Sequence, residues 1–310
     1  MRILVTGGAG FIGSHLVDRL ISDKCGDVIV IDNFSRGRME HLAQSKNQIQ
    51  IVHGDICDRV LLERIMPKVD LVFHLAAQST VLGALQNPDL TFQTNVVGTY
   101  EVLRAAVTNG VKRVIFSSSR EVYGDQKSLP VPESAPVSPK NSYGVSKTAG
   151  EIYCRHFAQD GIEVVVLRLS NVYGARDRGR VIPLFIERAA AGELLTVFGS
   201  AKIVDFLWVE DLVDVLLRAS TRSCPENPVN VGSGNGVNLV EVAQRICALT
   251  ESGSSVRIVA ERDPEVGAFT ADVTEARKLF DLRCPQDPIE HIDKLIEQFR
   301  SEGRARALET

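Results

Sequence analysis

The sequence has no block of basic residues, no CxxC pair, no cluster of histidines and no apolar run long enough to cross a bilayer. Each absence removes a class of function. The 35 basic and 39 acidic side chains are dispersed and leave a formal net charge of −4, so no stretch could neutralise a row of phosphates and nucleic acid is not an expected partner. The six cysteines (Cys25, Cys57, Cys154, Cys224, Cys247 and Cys284) stand far apart, which excludes zinc-ligand spacing and a dense disulfide framework. They read as reduced thiols of a cytoplasmic protein, and no metal is expected. The first apolar stretch is interrupted by Gly7, Gly8 and Gly10, too soon for a secretion signal or a membrane span. The chain is therefore expected to enter its fold directly and to have no membrane partner. No internal repeat or low-complexity tract is present.

What is present is an ordinary globular composition, 44% hydrophobic and 24% charged over 310 residues, enough for one large α/β domain or two domains. Short runs rich in Val and Ile (RILVT, DVIVID, IQIVHGD, LVFHLAA, RVIFSSS and VVVLRLS) alternate with segments of helical period at 15–22, 61–66, 91–109 and 142–159. That is the βαβ rhythm of a Rossmann fold, a doubly wound parallel sheet covered on both faces. Pro139 and Gly161 bracket the last of these helices. After Arg168 the pattern loosens, with Gly174, Gly179, Pro183, Gly192 and Gly199 dividing short pieces. A Rossmann domain over 1–168 and a smaller C-terminal α/β substrate lobe over 169–310 are expected, with chain crossings between them. The charged end, RSEGRARALET, is expected to fray.

The first strand runs into Thr6-Gly7-Gly8-Ala9-Gly10-Phe11-Ile12-Gly13 and then a helix. Glycine lets a backbone turn tightly and approach a pyrophosphate, whose charge the amides of a helix N-terminus then hold. The second strand ends at Asp32-Asn33, where a carboxylate meets adenosine ribose hydroxyls and repels a 2′-phosphate, favouring NAD over NADP. The competing reading of Asp32 is a turn cap. Further on, Tyr143 and Lys147 stand four residues apart on one helix face, where a cation favours the phenolate and lets the phenol exchange a proton with a substrate hydroxyl. A chance surface pair would have the same spacing, but this one follows a strand that ends in Ser117-Ser118-Ser119, at the sheet edge where ligands bind.

TGGAGFIG, HLAAQ, the Asn95 of TNVVGTY, SSSREVYG, YGVSK and RLSNVYG together resemble the extended short-chain dehydrogenases that process nucleotide sugars, of the UDP-glucose 4-epimerase type, over residues 2–277. The resemblance implies that NAD is held by Gly7, Gly10, Phe11, Ile12 and Gly13 at the pyrophosphate, by Asp32 and Asn33 at the ribose, and by Asp55 and Ile56 at the adenine. It adds Leu75, Ala76, Ala77, Asn95, Tyr143 and Lys147 as cofactor contacts. It implies that Ser119 bonds the reacting sugar oxygen, that Tyr143 and Lys147 transfer the proton, and that Arg120, Asn171 and Lys202 meet the substrate. It also implies a homodimer built on the helices near 91–109 and 142–159. In the shared chemistry Tyr143 takes the proton of the sugar 4-hydroxyl while C4 gives a hydride to NAD. The resulting 4-keto sugar is then epimerised, dehydrated or decarboxylated, and fold membership does not choose among these.

Two departures bear on that choice. Epimerases of this type carry small residues after the catalytic hydroxyl, whereas this chain has Arg120-Glu121; dehydratases carry Asp-Glu, and decarboxylases also carry Glu second. Glu121 is either a base or a carboxylate that positions a loop. Secondly, two arginines common in relatives are replaced by Val204 and Gly267, with Arg262, Lys202, Arg178 and Arg180 as nearby cations. A 4-epimerase is the first reading and a dehydratase or decarboxylase driven by Glu121 the alternative. A non-catalytic NAD-sensing protein is the third, opposed by the presence of both Tyr143 and Lys147.

Overall fold

The computed structural model describes the backbone of residues 1–308 and the side chains of 1–301. Its central sheet explains the unbroken Val/Ile runs, since strands covered on both faces bury both sets of alternating side chains. The first half of the chain supplies β1 (Arg2–Thr6), α1 (Phe11–Ser22), β2 (Asp27–Asp32), β3 (Ile49–His53), α2 (Arg59–Ile65), β4 (Leu71–His74), α3 (Val81–Gln86), α4 (Pro88–Phe92), α5 (Thr99–Thr108), β5 (Arg113–Ser119), α6 (Ser142–Ala158) and β6 (Glu163–Leu169). The second half adds β7 (Asn171–Tyr173), α7 (Val181–Ala190), β8 (Leu195–Phe198), β9 (Ile203–Trp208), α8 (Val209–Thr221), β10 (Val229–Val231), β11 (Gly236–Asn238), α9 (Leu239–Thr250), β12 (Val256–Val259), α10 (Thr274–Phe280) and α11 (Ile292–Leu308).

The seven-stranded sheet has the order β10-β6-β5-β4-β1-β2-β3, with every pairing parallel. Its order reverses between β1 and β4, and the crevice outside the carboxyl ends of those strands is where such sheets bind ligands. Register places Thr6 beside Ile31 and His74, and Ser119 beside Leu169, so the polar strand ends share one edge. The second half of the chain also forms a three-stranded sheet, β11-β9-β7, and the β8–β12 pair, around a separate core that includes Phe185, Phe206, Trp208 and Ile292. The chain also crosses back: β10 completes the large sheet, and Leu212 and Leu216 of α8 pack in the cluster that contains Ile3 and Leu16.

The helices differ from expectation in three places. The first begins at Phe11, immediately after its Gly10 cap. The expected helix at 91–109 is α4 and α5 joined by a π turn, Gln93–Gly98, in which the buried Asn95 spends its side chain on distant groups. The charged end expected to fray is helical as far as Leu308, while residues 309–310 and the side chains from 302 lie outside the description. Among the described residues, no helix is long and apolar enough to cross a membrane, and no group of His, Cys, Asp and Glu could hold a metal.

One buried ion pair locks α6 onto the sheet. Arg168 of β6 donates through Nε to Glu151 Oε1 (2.9 Å) and through Nη2 to Oε2 (2.7 Å), while Ser118 Oγ donates to Oε1 at 2.5 Å. Arg168 Nη1 donates to the Tyr123 hydroxyl (2.9 Å), which donates to Asn230 Oδ1 (2.7 Å). Removing one partner of such a pair leaves a buried, uncompensated charge. Arg168→Met should therefore lower stability by about 3–5 kcal/mol, read from chemical denaturation, and adding Glu151→Leu should recover part of the loss. A midpoint equal to that of the parent would contradict the anchoring role.

Candidate active site

The glycine turn is shaped by close approach. Gly7 has φ +71°, and a Cβ there would lie 2.8 Å from Ala76 Cα; a Cβ on Gly13 would lie 2.2 Å from Gly7 O. These glycines seat the start of α1 against the β1 and β4 ends. The helix has no side-chain cap at its N-terminus, so its first amides remain available to an anion. Phe11 and Ile12 form that first turn.

Asp32 holds a turn, the role that competed with the ribose contact. It is buried, and it accepts hydrogen bonds from the amides of Ala9 (2.9 Å) and Phe34 (2.8 Å), holding the glycine turn to the loop after β2. Burial raises its pKa against the effect of those two amides. Asn33 Nδ2 donates to Asp55 Oδ2 at 2.8 Å, and Cys57 N donates to Asp55 Oδ1 at 2.8 Å. Burial pushes the Asp55 carboxyl upward, but these bonds outweigh it and leave the pKa below the usual value. Burial, reinforced by Asp55, drives the Cys57 thiol up to about 12, so it stays protonated. Ile56 is buried beneath Gly98, where a Cβ would lie 2.6 Å from it.

The turn Leu75-Ala76-Ala77 hangs from Thr6, whose Oγ1 accepts from the amides of Leu75 and Ala76, each at 3.2 Å. Donor accounting then assigns the rest. The Thr6 hydroxyl donates to His74 Nδ1 (2.7 Å), His74 Nε2–H to Thr99 Oγ1 (3.0 Å), and Thr99 Oγ1 to Asn95 O (2.7 Å). Burial, with the Lys147 charge, lowers the His74 pKa to about 3, so the ring is neutral as this chain of donors requires. Asn95 accepts from Gln78 N (2.7 Å) and donates to Gln78 O (3.0 Å) and Ser146 Oγ (2.9 Å), tying this turn to α6.

The reactive groups meet where β5 ends. Ser119 Oγ caps the turn that follows by accepting from Glu121 N (3.2 Å), and its hydroxyl lies close enough to the Tyr143 phenol to favour the phenolate. Burial raises the Tyr143 pKa, Glu121 adds to that effect, and Arg180, the Ser119 bond and Arg120 oppose it. Lys147 Nζ donates to Ser117 O (2.7 Å) and lies 6.0 Å from the Tyr143 ring centroid; burial lowers its pKa to about 8. The ammonium thus flanks the ring.

Asn141 caps α6 by accepting from Gly144 N (2.9 Å), and its Nδ2 donates to Glu121 Oε2 (2.8 Å). Arg120 pairs with Glu121 Oε1 (2.9 Å) and donates through Nε to Asn171 Oδ1 (2.7 Å). The structure therefore assembles Ser119, Arg120, Glu121, Tyr143, Lys147 and Asn171. Lys202 belongs to a neighbouring cluster, bonded with Arg262 to Glu265, and Val204 is buried in β9. The Arg178 carbonyl accepts from Arg36 Nη2 (3.4 Å), and Gly267 N donates to Asp125 (3.2 Å). Two contributors escaped the sequence reading. Asn141 had the signal of a capping residue just before a helix. The influence of Arg180 on the Tyr143 phenol had none, because only tertiary folding creates it.

The sheet and the residues along its carboxyl edge define the class: the chain is an extended short-chain dehydrogenase/reductase. The sequence profile described as the NAD dependent epimerase/dehydratase family matches residues 3–232, and the chain belongs to that family. UDP-glucuronic acid decarboxylase 1 of Xenopus tropicalis is 35% identical over 315 residues, spanning 97% of this chain and 72% of that one. Among solved structures, the UDP-glucose 4-epimerase of Thermotoga maritima with UDP-glucose aligns with TM-score 0.92 at 33% identity, covering 97% of this chain and 99% of that one. The dTDP-glucose 4,6-dehydratase DesIV of Streptomyces venezuelae, with NAD bound, aligns with TM-score 0.92 at 30% identity, covering 97% of each chain. NAD is the cofactor, and the chemistry belongs to the epimerases, dehydratases and decarboxylases of nucleotide sugars. The Asp32 carboxylate should disfavour a 2′-phosphate, so titration should show NAD binding at least about tenfold tighter than NADP. Asp32→Asn, which keeps the shape and removes the charge, should narrow the gap. NADP binding as tight as NAD by the parent protein would overturn this role of Asp32.

Proposed function

We propose that the chain is a nucleotide-sugar 4-epimerase that works through a transient 4-keto sugar. The observation that carries this reading is the commitment of Glu121, whose two oxygens are held by Arg120 and by the cap of α6. A carboxylate that abstracts a proton from carbon must have an oxygen to offer. Epimerisation asks only for Ser119, Tyr143, Lys147 and a sugar able to turn. Tyr143 exchanges its phenolic proton with the 4-hydroxyl, Ser119 orients that oxygen, and Arg180 and Arg120 favour the phenolate. Gly7, Gly10, Gly13 and the first amides of α1 hold the pyrophosphate, Asp32 and Asn33 the ribose, Asp55 and Ile56 the adenine, and Leu75 to Ala77 with Tyr143 and Lys147 the remainder. When bound, NAD supplies a reversible hydride acceptor for C4. After the sugar turns, Tyr143 returns the proton to the 4-oxygen of the other epimer. Asn171 and the Lys202 cluster meet the substrate's diphosphate side. The second reading, a dehydratase or decarboxylase, is favoured by the 35% identity to the Xenopus decarboxylase.

We further propose a homodimer, a Rossmann domain over 1–168 with a substrate lobe over 169–310, and a cytoplasmic setting compatible with six free thiols. Support for the dimer lies on α4 to α6, where Phe92 (54%), Val145 (54%) and Ile152 (59%) stand exposed, near Leu90 and Tyr100.

Three outcomes test these proposals. In a panel of UDP-, dTDP-, GDP- and CDP-sugars, one pair should interconvert at C4 with unchanged mass; loss of water or carbon dioxide would instead establish the lyase reading. Tyr143→Phe should lose ~10²-fold or more in turnover while keeping NAD affinity, whereas Glu121→Gln should keep most activity. Near-normal turnover by Tyr143→Phe would refute the mechanism, and accumulation of 4-keto sugar by Glu121→Gln would assign Glu121 a reacting role. Sedimentation should give a dimer; only a 33.9 kDa species at micromolar concentration would count against it.

A further inference from the structure

Six buried side-chain polar atoms are without a hydrogen-bond partner among the described residues. Asp211 Oδ2 and Glu290 Oε1 lie against the Arg283 guanidinium, and Ser170 Oγ lies beside Gly232. The other three, Arg176 Nη1, Asp177 Oδ2 and Gln298 Oε1, belong to residues that line one cavity of about 470 Å³, bounded by the loop after β7, α7 and α11. Orphaned polar groups are rare because each carries its full desolvation cost, so three around one space point to something that the space receives.

The two ions among them already have counter-ions. Arg176 Nη2 donates to Asp18 Oδ2 (2.7 Å), and Asp177 Oδ1 accepts from Arg180 Nη1 (2.7 Å). What is left is hydrogen bonding: one N–H that needs an acceptor and two oxygens that need donors. An inorganic anion offers acceptors and leaves the oxygens unserved, while an amine cation offers donors and leaves the guanidinium. A hydroxyl does both, so neighbouring hydroxyls on one ring serve all three. Water has the same capacity, but Ile186, Leu295 and Phe299 also line the cavity, and there water finds no partner whereas the C–H face of a sugar ring packs. The volume is that of a small-molecule site. We infer that this cavity is a second ligand site, for a sugar, separate from the crevice along the sheet edge. Arg300 and Glu187 line it too, so a free sugar and a phosphorylated one meet different charges there. Arg300 donates to the carbonyls of Leu249 (3.1 Å) and Thr250 (3.2 Å) and has no carboxylate partner among the described residues.

The loop after β7 joins this cavity to the crevice. His15 Nε2 of α1 donates to Ala175 O (2.9 Å), and Arg36 Nη2 donates to Arg178 O (3.4 Å). Arg180 lies 5.6 Å over the Phe11 ring and donates to Ser79 Oγ (3.3 Å). Asp177 serves both sides, since Oδ1 holds Arg180 and Oδ2 is left for a ligand. Burial raises the pKa of this carboxyl, and a hydroxyl that donates to Oδ2 favours the ionised form, which is the form that grips Arg180. A bound sugar therefore steadies the loop beside the first turn of α1, where the pyrophosphate of NAD is proposed to sit. Sugar and NAD each raise the affinity of the other by the same factor.

The test is calorimetry on the full chain, with and without saturating NAD, using glucose, galactose and glucose 1-phosphate as probes and uridine as the control. At least one sugar should bind with Kd in about the millimolar range, and at saturation it should tighten NAD binding about fivefold. Gln298→Leu, which removes one of the orphaned oxygens, and Ala190→Phe, which adds a ring to the α7 wall, should each abolish sugar binding. Both should bind NAD as the parent does when no sugar is present, with thermal denaturation checking that they are folded. Tighter binding of glucose 1-phosphate than of glucose, lost in Arg300→Gln, assigns the phosphorylated form; equal binding assigns the free sugar. Sugar binding that survives both Gln298→Leu and Ala190→Phe belongs to the crevice and overturns the site. Uridine binding tighter than any sugar does so too, as does a crystal structure grown with the sugar that shows only water against Arg176, Asp177 and Gln298. Sugar bound in the cavity with NAD affinity unchanged upholds the site and rejects its link to the cofactor.

Discussion

The hold of α6 on the sheet is the constraint on which the site depends. Tyr143 and Lys147 lie on that helix, while Ser117 and Ser119 lie on β5, so the proton transfer proposed for them requires the two elements to keep a fixed spacing. Two carboxylates maintain it from opposite ends. Glu151, one turn beyond Lys147, is gripped by Arg168 and Ser118. Glu121, in the turn after β5, reaches Asn141 at the cap that begins the helix. Both acids are buried, and the cost of burying them is offset because every oxygen is bonded to a donor.

The dinucleotide side relies on neutral groups for the same end. Thr6, His74 and Thr99 form one directional run of donors from the β4 turn to the backbone of Asn95, and it closes only with an uncharged imidazole. A protonated His74 would have to donate at both nitrogens, leaving the Thr6 hydroxyl without an acceptor for its proton and breaking its hold on Leu75 and Ala76. Burial prevents this at any pH above the low pKa of the ring. The π turn has a matching cause: the wider turn carries Asn95 inward to bond both Gln78 and Ser146, joining the segment after β4 to α6.

Much of this was readable from the chain because it is local. The glycine turn, Asp32 and the Tyr143–Lys147 spacing each fit within one strand–turn–helix unit, where a few neighbouring residues decide the geometry. The alternation of apolar runs likewise predicted the parallel sheet, since burial on both faces leaves its mark on each strand separately. The π turn was not legible, because Asn95 adopts it for partners 17 and 51 residues away. Nor was β10, three residues long and hidden beyond the apparent end of the Rossmann pattern. The use of Lys202 was likewise a matter of tertiary pairing, since Glu265 lies 63 residues away, whereas Arg262 meets the same acid within one turn of the chain.

These pairings also show why net charge was uninformative about the site. The chain carries a formal charge of −4, yet the carboxylates nearest the reacting end are engaged in structure: Glu121 in the helix cap, Glu151 in the anchor, Asp177 on Arg180 and Glu265 on Lys202. Each neutralises part of a neighbouring cation without facing the crevice as a free base. At the Tyr143 phenol burial is the largest influence, with Arg180 and Arg120 acting against Glu121 in a poorly solvated place where charges are weakly screened. Net charge therefore says little about a site in a chain whose acids are consumed in holding its elements together.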